Sequence, residues 1–268
     1  MKRVKLVVAY DGTNYCGWQS QNNAVAVQDV LNRHLSELLG ETIETIGASR
    51  TDAGVHAYGN VAVFDTNHRM PADKIAFALN ARLPDDIRIQ KSEEVSEDFH
   101  PRYCSSVKTY EYKILNRQML IPTLRHYAHF TYVPLDVELM KKGASYIVGE
   151  HDFKSFCGAG AQVKTTVREV LDIEIYTENL AGSNDCKTEK SCKDMQKGEL
   201  ITLRVRGKGF LYNMVRIIAG TLMDAGQGFW EPEYMKEILE AKDRSKAGNT
   251  APAKGLTLVE IAYPEVEM

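Results

Sequence analysis

What the chain has little of narrows its possible functions first. No apolar run approaches the roughly 20 residues that cross a bilayer, and the apolar stretch within Met1-Lys2-Arg3-Val4-Lys5-Leu6-Val7-Val8-Ala9-Tyr10-Asp11 is too short for a secretory signal. A cytoplasmic protein with no membrane association is therefore expected. The five cysteines, Cys16, Cys104, Cys157, Cys186 and Cys192, are odd in number, dispersed and never spaced as C-x-x-C. That pattern fits neither a disulfide framework nor a zinc site, so reduced thiols and no metal are expected. Cationic excess is also lacking: 33 Lys and Arg stand against 36 Asp and Glu, a net charge of -3. A diffuse basic surface for nucleic acid is thereby excluded, and any such site must be a local patch. Gly207-Lys208-Gly209-Phe210 is glycine-rich but lacks the G-x-x-x-x-G-K-[ST] pattern, so no ATP-binding loop is indicated.

What is present suffices for a substantial core. At 268 residues and 44% hydrophobic composition, the chain can form one large domain or two small ones. Residues 2–10 read as a strand, 27–39 as an amphipathic helix closed by Gly40, 42–47 and 58–65 as strands, 71–83 as a helix and 86–95 as a strand. The same order recurs as a strand at 107–116, a helix at 135–148, strands at 165–176 and 199–205, a helix at 211–225 and a strand at 256–263. Strand, helix, strand, strand, helix, strand is the split βαβ, ferredoxin-like order. The expectation is an α+β chain of two such halves, 1–104 and 105–268, with a helix added at 231–242 and a polar loop at 178–198.

Between the strands at 42–47 and 58–65 lies Ile46-Gly47-Ala48-Ser49-Arg50-Thr51-Asp52-Ala53-Gly54-Val55-His56. Small residues flank Asp52 and would let a substrate backbone approach closely. Read alone, Asp52-Ala53-Gly54 is also ordinary turn chemistry, with Asp bonding its own backbone and Gly supplying positive φ. Arg50 can hold a phosphate through two parallel hydrogen bonds or fill the space of an extruded base, or it can be a surface ion pair of little energetic weight. Arg204, Arg206 and Lys208 lie near the start of the helix from 211 and are candidates for the local basic patch. His151 and Cys157 admit a thiol-hydrolase reading.

Ser49-Arg50-Thr51-Asp52-Ala53-Gly54-Val55-His56-Ala57 resembles the signature of the tRNA pseudouridine synthase A (TruA) family. Four further stretches resemble that family in its order: Tyr10 to Gln19, Phe99-His100-Pro101-Arg102 with Lys108-Thr109-Tyr110-Glu111-Tyr112, Phe210 to Arg216, and Pro252 to Leu256. One departure is Ser49, where the family commonly has Gly. The resemblance implies a pseudouridine synthase fold, with a central, mostly antiparallel sheet and a cleft between the halves. It implies isomerisation of uridine at positions 38 to 40 of the tRNA anticodon stem-loop by a homodimer, without a cofactor. It assigns Asp52 as the catalytic nucleophile, Tyr110 to stacking on the uracil, Arg216 and Arg50 as electrostatic partners, and Leu256 as an apolar wall. Tyr110 is expected to face the cleft while Tyr112 packs on the opposite face of the strand. From the residues alone, Tyr110 and Leu256 also fit a plain core, and Arg216 a helix-surface side chain lying over apolar neighbours.

Overall fold

A computed structural model describes residues 1–22, 24–161, 163–180 and 199–264. Most of the polar loop expected at 178–198, with Cys186 and Cys192, lies outside the described residues. Among the described residues are ten strands and five α-helices, an α+β composition with mixed but mostly antiparallel pairing. The chain divides into two compact units, one of Met1–Lys108 with Thr257–Met268 and one of Thr109–Leu256. The sequence-based division at 104 and 105 differs in that it left the last strand with the second half.

In the first unit, β1 (Lys2–Tyr10) alternates Val4, Leu6, Val8 and Tyr10 into the core. That is the period-two pattern of a strand with one face buried. It pairs antiparallel with β3 (His56–Thr66) on one side and β4 (Ile87–Val95) on the other. Helix α1 (Val27–Leu39) buries Val27, Val30, Leu31, Leu35 and Leu39 on one face. Its entry is capped by the Asp29 carboxylate, which accepts from Ala26 N at 3.0 Å. Its exit is at Gly40, where φ is 66° and the N–H donates to Ser36 O. Helix α2 (Ala72–Asn80) ends on Asn80, whose amide exchanges two hydrogen bonds with the Ile89 backbone and so fixes the helix to β4.

The edge of β3 away from β1 is shared. β2 (Ile46–Gly47) pairs antiparallel with Val63 and Ala62, and β10 (Leu256–Ala262) pairs parallel at Thr257↔His56 and Leu258↔Ala57. The strand order in this unit is β4-β1-β3, followed by β2 and β10 along that one edge.

The second unit carries β5 (Val107–Asn116) from Thr109 on, β6 (His129–Thr131), β7 (Gly149–Asp152), β8 (Val167–Asn179) and β9 (Glu199–Gly207), ordered β5-β9-β8-β7 with β6 on β5. Helix α3 (Val137–Ser145) starts on Asp136, whose carboxylate accepts from Glu138 N and Leu139 N. Helix α4 (Met214–Gly226) is apolar nearly all round and buried on nearly all sides, as such a helix must be. Helix α5 (Tyr234–Ala241) follows it.

Candidate active site

Asp52 sits, half-buried, on the turn between β2 and β3, and the Val55 amide closes that turn on Asp52 O at 3.1 Å. What holds the turn is a set of buried polar side chains. Asn60, fully buried on β3, donates from Nδ2 to Ser49 O at 3.1 Å and accepts from Ser49 N at 3.3 Å, engaging both main-chain polar groups of that residue. The same Nδ2 reaches Tyr10 Oη, and Tyr10 Oη shares a 2.7 Å hydrogen bond with Thr51 Oγ1. Leaving any of these buried groups without its partner costs on the order of 1 to 3 kcal/mol, so the network specifies one backbone path into Asp52.

The loop after β1 grips the turn from outside. Trp18 N donates to Thr51 O at 3.1 Å, and Gly54 N donates to Tyr15 O at 3.3 Å. Gly17 has φ of 87°, and a Cβ there would lie 2.4 Å from Thr51 O; at Gly47 a Cβ would meet the Trp18 ring at 2.1 Å. The glycines therefore permit close approach of two backbone segments. Gly12 N donates to His56 Nδ1 at 3.1 Å, and Asp11 Oδ1 is also 3.1 Å from that nitrogen.

Cations gather beneath the same turn. Arg102 Nε donates to Gly47 O at 2.8 Å and Lys108 Nζ to Ala48 O at 3.2 Å. Burial, then the neighbouring Arg102 charge, pushes the Lys108 ammonium down to about 8. Burial and then Arg50 act in the same direction on Arg102. Arg50 itself is exposed. A backbone carbonyl is a neutral acceptor, so these contacts orient the cations without cancelling their charge.

Tyr110, Arg216 and Leu256 belong to the second unit. Tyr110 is buried, its ring edge-on to Phe210 with centroids 5.2 Å apart. Tyr112 is also buried and donates to Pro252 O at 2.9 Å. The expectation that these two tyrosines take opposite faces is wrong, because residues two apart on a strand share a face. The residue on the other face is Glu111, which meets Tyr176 Oη at 3.3 Å and Arg204 at 3.6 Å. Arg216, in the first turn of α4, is not a side chain laid loosely over apolar neighbours. Its Nε donates to Ala251 O at 2.8 Å and its Nη1 to Asn213 Oδ1 at 2.9 Å, while Ala251 N donates back to Arg216 O. Asn213 takes the left-handed conformation, φ 60°, immediately before the helix. Leu256 is buried where the turn Ala253–Gly255 enters β10.

A model of the tRNA pseudouridine synthases matches residues 6–104 and 144–264, which include Arg50, Asp52, Arg216 and Leu256, while Tyr110 lies between the two matched segments. Among curated proteins, a tRNA pseudouridine synthase A of Acetivibrio thermocellus is 45% identical over 263 residues, covering 98% of this chain and 100% of that one. Those of a Thermoanaerobacter species and of Brevibacillus brevis are each 46% identical over the same coverage. The chain belongs to the tRNA pseudouridine synthase family. It is accordingly an isomerase that acts on uridine in tRNA.

As a pseudouridine synthase it has no use for the thiol-hydrolase reading, and the geometry opposes that reading as well. The Cys157 thiol donates to Gly158 O at 3.7 Å and burial pushes it up, away from the thiolate a nucleophile needs. His151 Nε2 engages Val148 O at 3.0 Å. Among the described residues no group of three or more His, Cys, Asp or Glu is arranged to hold a metal ion, and no helix is long and apolar enough to cross a membrane. Arg102 and Lys108 are the residues that sequence reasoning left unassigned. Both lie in stretches that carry the resemblance, but a side chain that serves a backbone carbonyl leaves no pattern in the sequence.

Proposed function

We propose that this synthase isomerises uridines at positions 38 to 40 of the tRNA anticodon stem-loop, with Asp52 as its catalytic nucleophile. The base must leave its stack first, at a cost of a few kcal/mol. Asp52 then holds a cleaved intermediate while the N1–C1′ bond breaks and the C5–C1′ bond forms. C5 gives up its hydrogen as a proton and N1 takes one up, so the product is an isomer and no cofactor enters the balance. Tyr110 stacks on the uracil, Arg216 and Arg50 supply positive charge to the carboxylate and the phosphates, and Leu256 lines the base.

The observation that carries this reading is the buried network of Asn60, Tyr10, Thr51 and Ser49, which fixes the main chain on the approach to Asp52. A turn with no task beyond reversing the chain needs no such reinforcement. The ferredoxin-like reading of the halves is supported in the first unit by the order β4-β1-β3-β2 and its antiparallel pairings. We also infer a cytoplasmic homodimer, with each tRNA bridging both subunits; a sedimentation velocity run at micromolar concentration that finds only monomer, with or without tRNA, refutes the dimer.

Tritium release from tRNA labelled at uridine C5 tests the chemistry. The native protein should release tritium and a folded Asp52→Asn variant should not. Release limited to uridines outside the anticodon stem-loop would move the site while leaving the reaction in place. Binding without release by either protein would replace catalysis with an RNA-binding role.

A further inference from the structure

The segment Phe99 to Cys104 is built as a rigid turn carrying one outward aromatic ring. Tyr103 N and Cys104 N both donate to His100 O, and Arg102 N donates to His100 Nδ1 at 3.2 Å. The turn is tied to the sheet behind it. Tyr263 Oη donates to Pro101 O at 2.8 Å, Arg3 Nη1 donates to Phe99 O at 3.1 Å, and the Phe99 ring packs edge-on to Tyr263. On this anchored frame Tyr103 is 84% exposed. Its ring lies on the His100 imidazole, with centroids 4.1 Å apart and planes 20° from parallel. One face of the phenol is thus backed by a second ring, and much of the side chain faces solvent. The flat face of the His100 imidazole is a stacking surface behind the phenol.

Arg102, between the two rings in sequence, reaches the other way, to Gly47 O at the foot of the turn that carries Asp52. Its guanidinium is close enough to Tyr103 and to Arg50 for both to alter its ionisation. An exposed flat aromatic pair joined to two arginines combines what an unpaired nucleotide requires, a π-face for the base and cations for its phosphate.

We propose that Tyr103, backed by His100, is a stacking platform for an unpaired tRNA base near the target uridine, and that Arg102 and Arg50 hold the phosphates of the same strand. This rests on the reading of Asp52 as the centre of the reaction. Since stacking is tolerant of base identity, the platform contributes affinity and placement and leaves the choice of base to other contacts.

The test uses full-length Tyr103→Ala and Tyr103→Phe proteins, with tRNA affinity measured by filter binding and tritium release measured across tRNA concentration. Tyr103→Ala should weaken tRNA binding about tenfold, the loss falling on KM rather than kcat, while Tyr103→Phe stays within about twofold of the native protein. The salt dependence of binding should be unchanged in both, because no charge is removed. Binding and KM within twofold in Tyr103→Ala would overturn the proposal, as would an equal loss in Tyr103→Phe, which would assign the effect to the hydroxyl. A Tyr103→Ala protein that changes its sedimentation coefficient without tRNA would place the ring in a protein contact instead. If the native protein releases no tritium yet Tyr103→Ala loses tRNA affinity, the platform stands and the catalytic reading falls. If release is normal and affinity unmoved, the reverse holds.

Discussion

Two groups of cations in this molecule, similar in composition, sit in opposite electrostatic circumstances. Arg204, Arg206 and Lys208, on β9 and just after it, each face a carboxylate: Glu111 at 3.6 Å, Asp172 at 2.9 Å and Glu169 at 2.7 Å. Arg102 and Lys108, beside Arg50, instead donate to the carbonyls of Gly47 and Ala48. The first group is neutralised where it stands and projects little field. The second donates to neutral carbonyls and keeps its positive charge at the turn bearing Asp52, although the chain as a whole has a net charge of -3. Counting basic residues along the sequence does not separate the two groups; the identity of the acceptor does.

The largest expected effect tests whether the charged turn is the reaction centre. Asp52→Asn should lower tritium release by about 1,000-fold or more, with thermal stability and tRNA affinity largely kept. Next, Asn60→Ala breaks the frame and leaves the charges alone. It strips partners from Ser49 N and Ser49 O, and thermal unfolding should show a loss of about 2 to 4 kcal/mol, with kcat reduced in the protein that remains folded.

Lys108 comes third, and its sign follows from its titration. The buried ammonium releases its proton near 8 and the unfolded chain near 10.5. Below pH 8 both states are protonated, and the cost of burying the charge is present in full. Between 8 and 10.5 the unfolded state binds more protons, so native stability rises relative to Lys108→Met, by up to about 3 kcal/mol. Denaturant melts of the two proteins at pH 7 and 10 check this; parallel values at both pH would mean that Lys108 is not perturbed. tRNA affinity should fall over the same pH interval, as the turn loses a charge.

The smallest effects contrast the two groups directly. Arg102→Ala should weaken tRNA binding about tenfold and reduce the salt slope by about one. Arg206→Ala, which removes an arginine already paired with Asp172, should change stability by no more than about 0.5 kcal/mol and leave the slope as it was. Equal losses in the two variants would end the distinction.

Elements with clean periodicity were legible in the sequence, and those set by neighbours were not. Alternating Val4, Leu6 and Val8 define β1, and Val27, Leu31 and Leu35 with Gly40 define α1, both at the expected bounds. The strand expected at 42–47 contracts to Ile46–Gly47 because α1 takes its backbone donors: Asn32 Oδ1 accepts from Thr45 N, and Ser36 Oγ from Ile43 N. The short strands β6 and β7 have too few residues to show a period and exist through their pairing with β5 and β8. The turn carrying Asp52 was legible through its motif, whereas Asn60, buried in the middle of an apolar strand, gave no signal that it faces that turn.

The parallel seat of β10 on β3 has a bearing on how the protein is made. His56 and Ala57, the β3 residues it pairs with, directly follow the Asp52 turn, yet Thr257 and Leu258 leave the ribosome only after all of Thr109–Leu256. At roughly 5 to 20 residues per second, that is a delay on the order of ten seconds. Throughout it, the hydrogen-bonding edge next to the Asp52 turn lacks its partner and is open to other strands. Newly made chains should therefore depend on chaperone protection late in synthesis, and a protein truncated just before β10 should aggregate rather than accumulate as a soluble first unit.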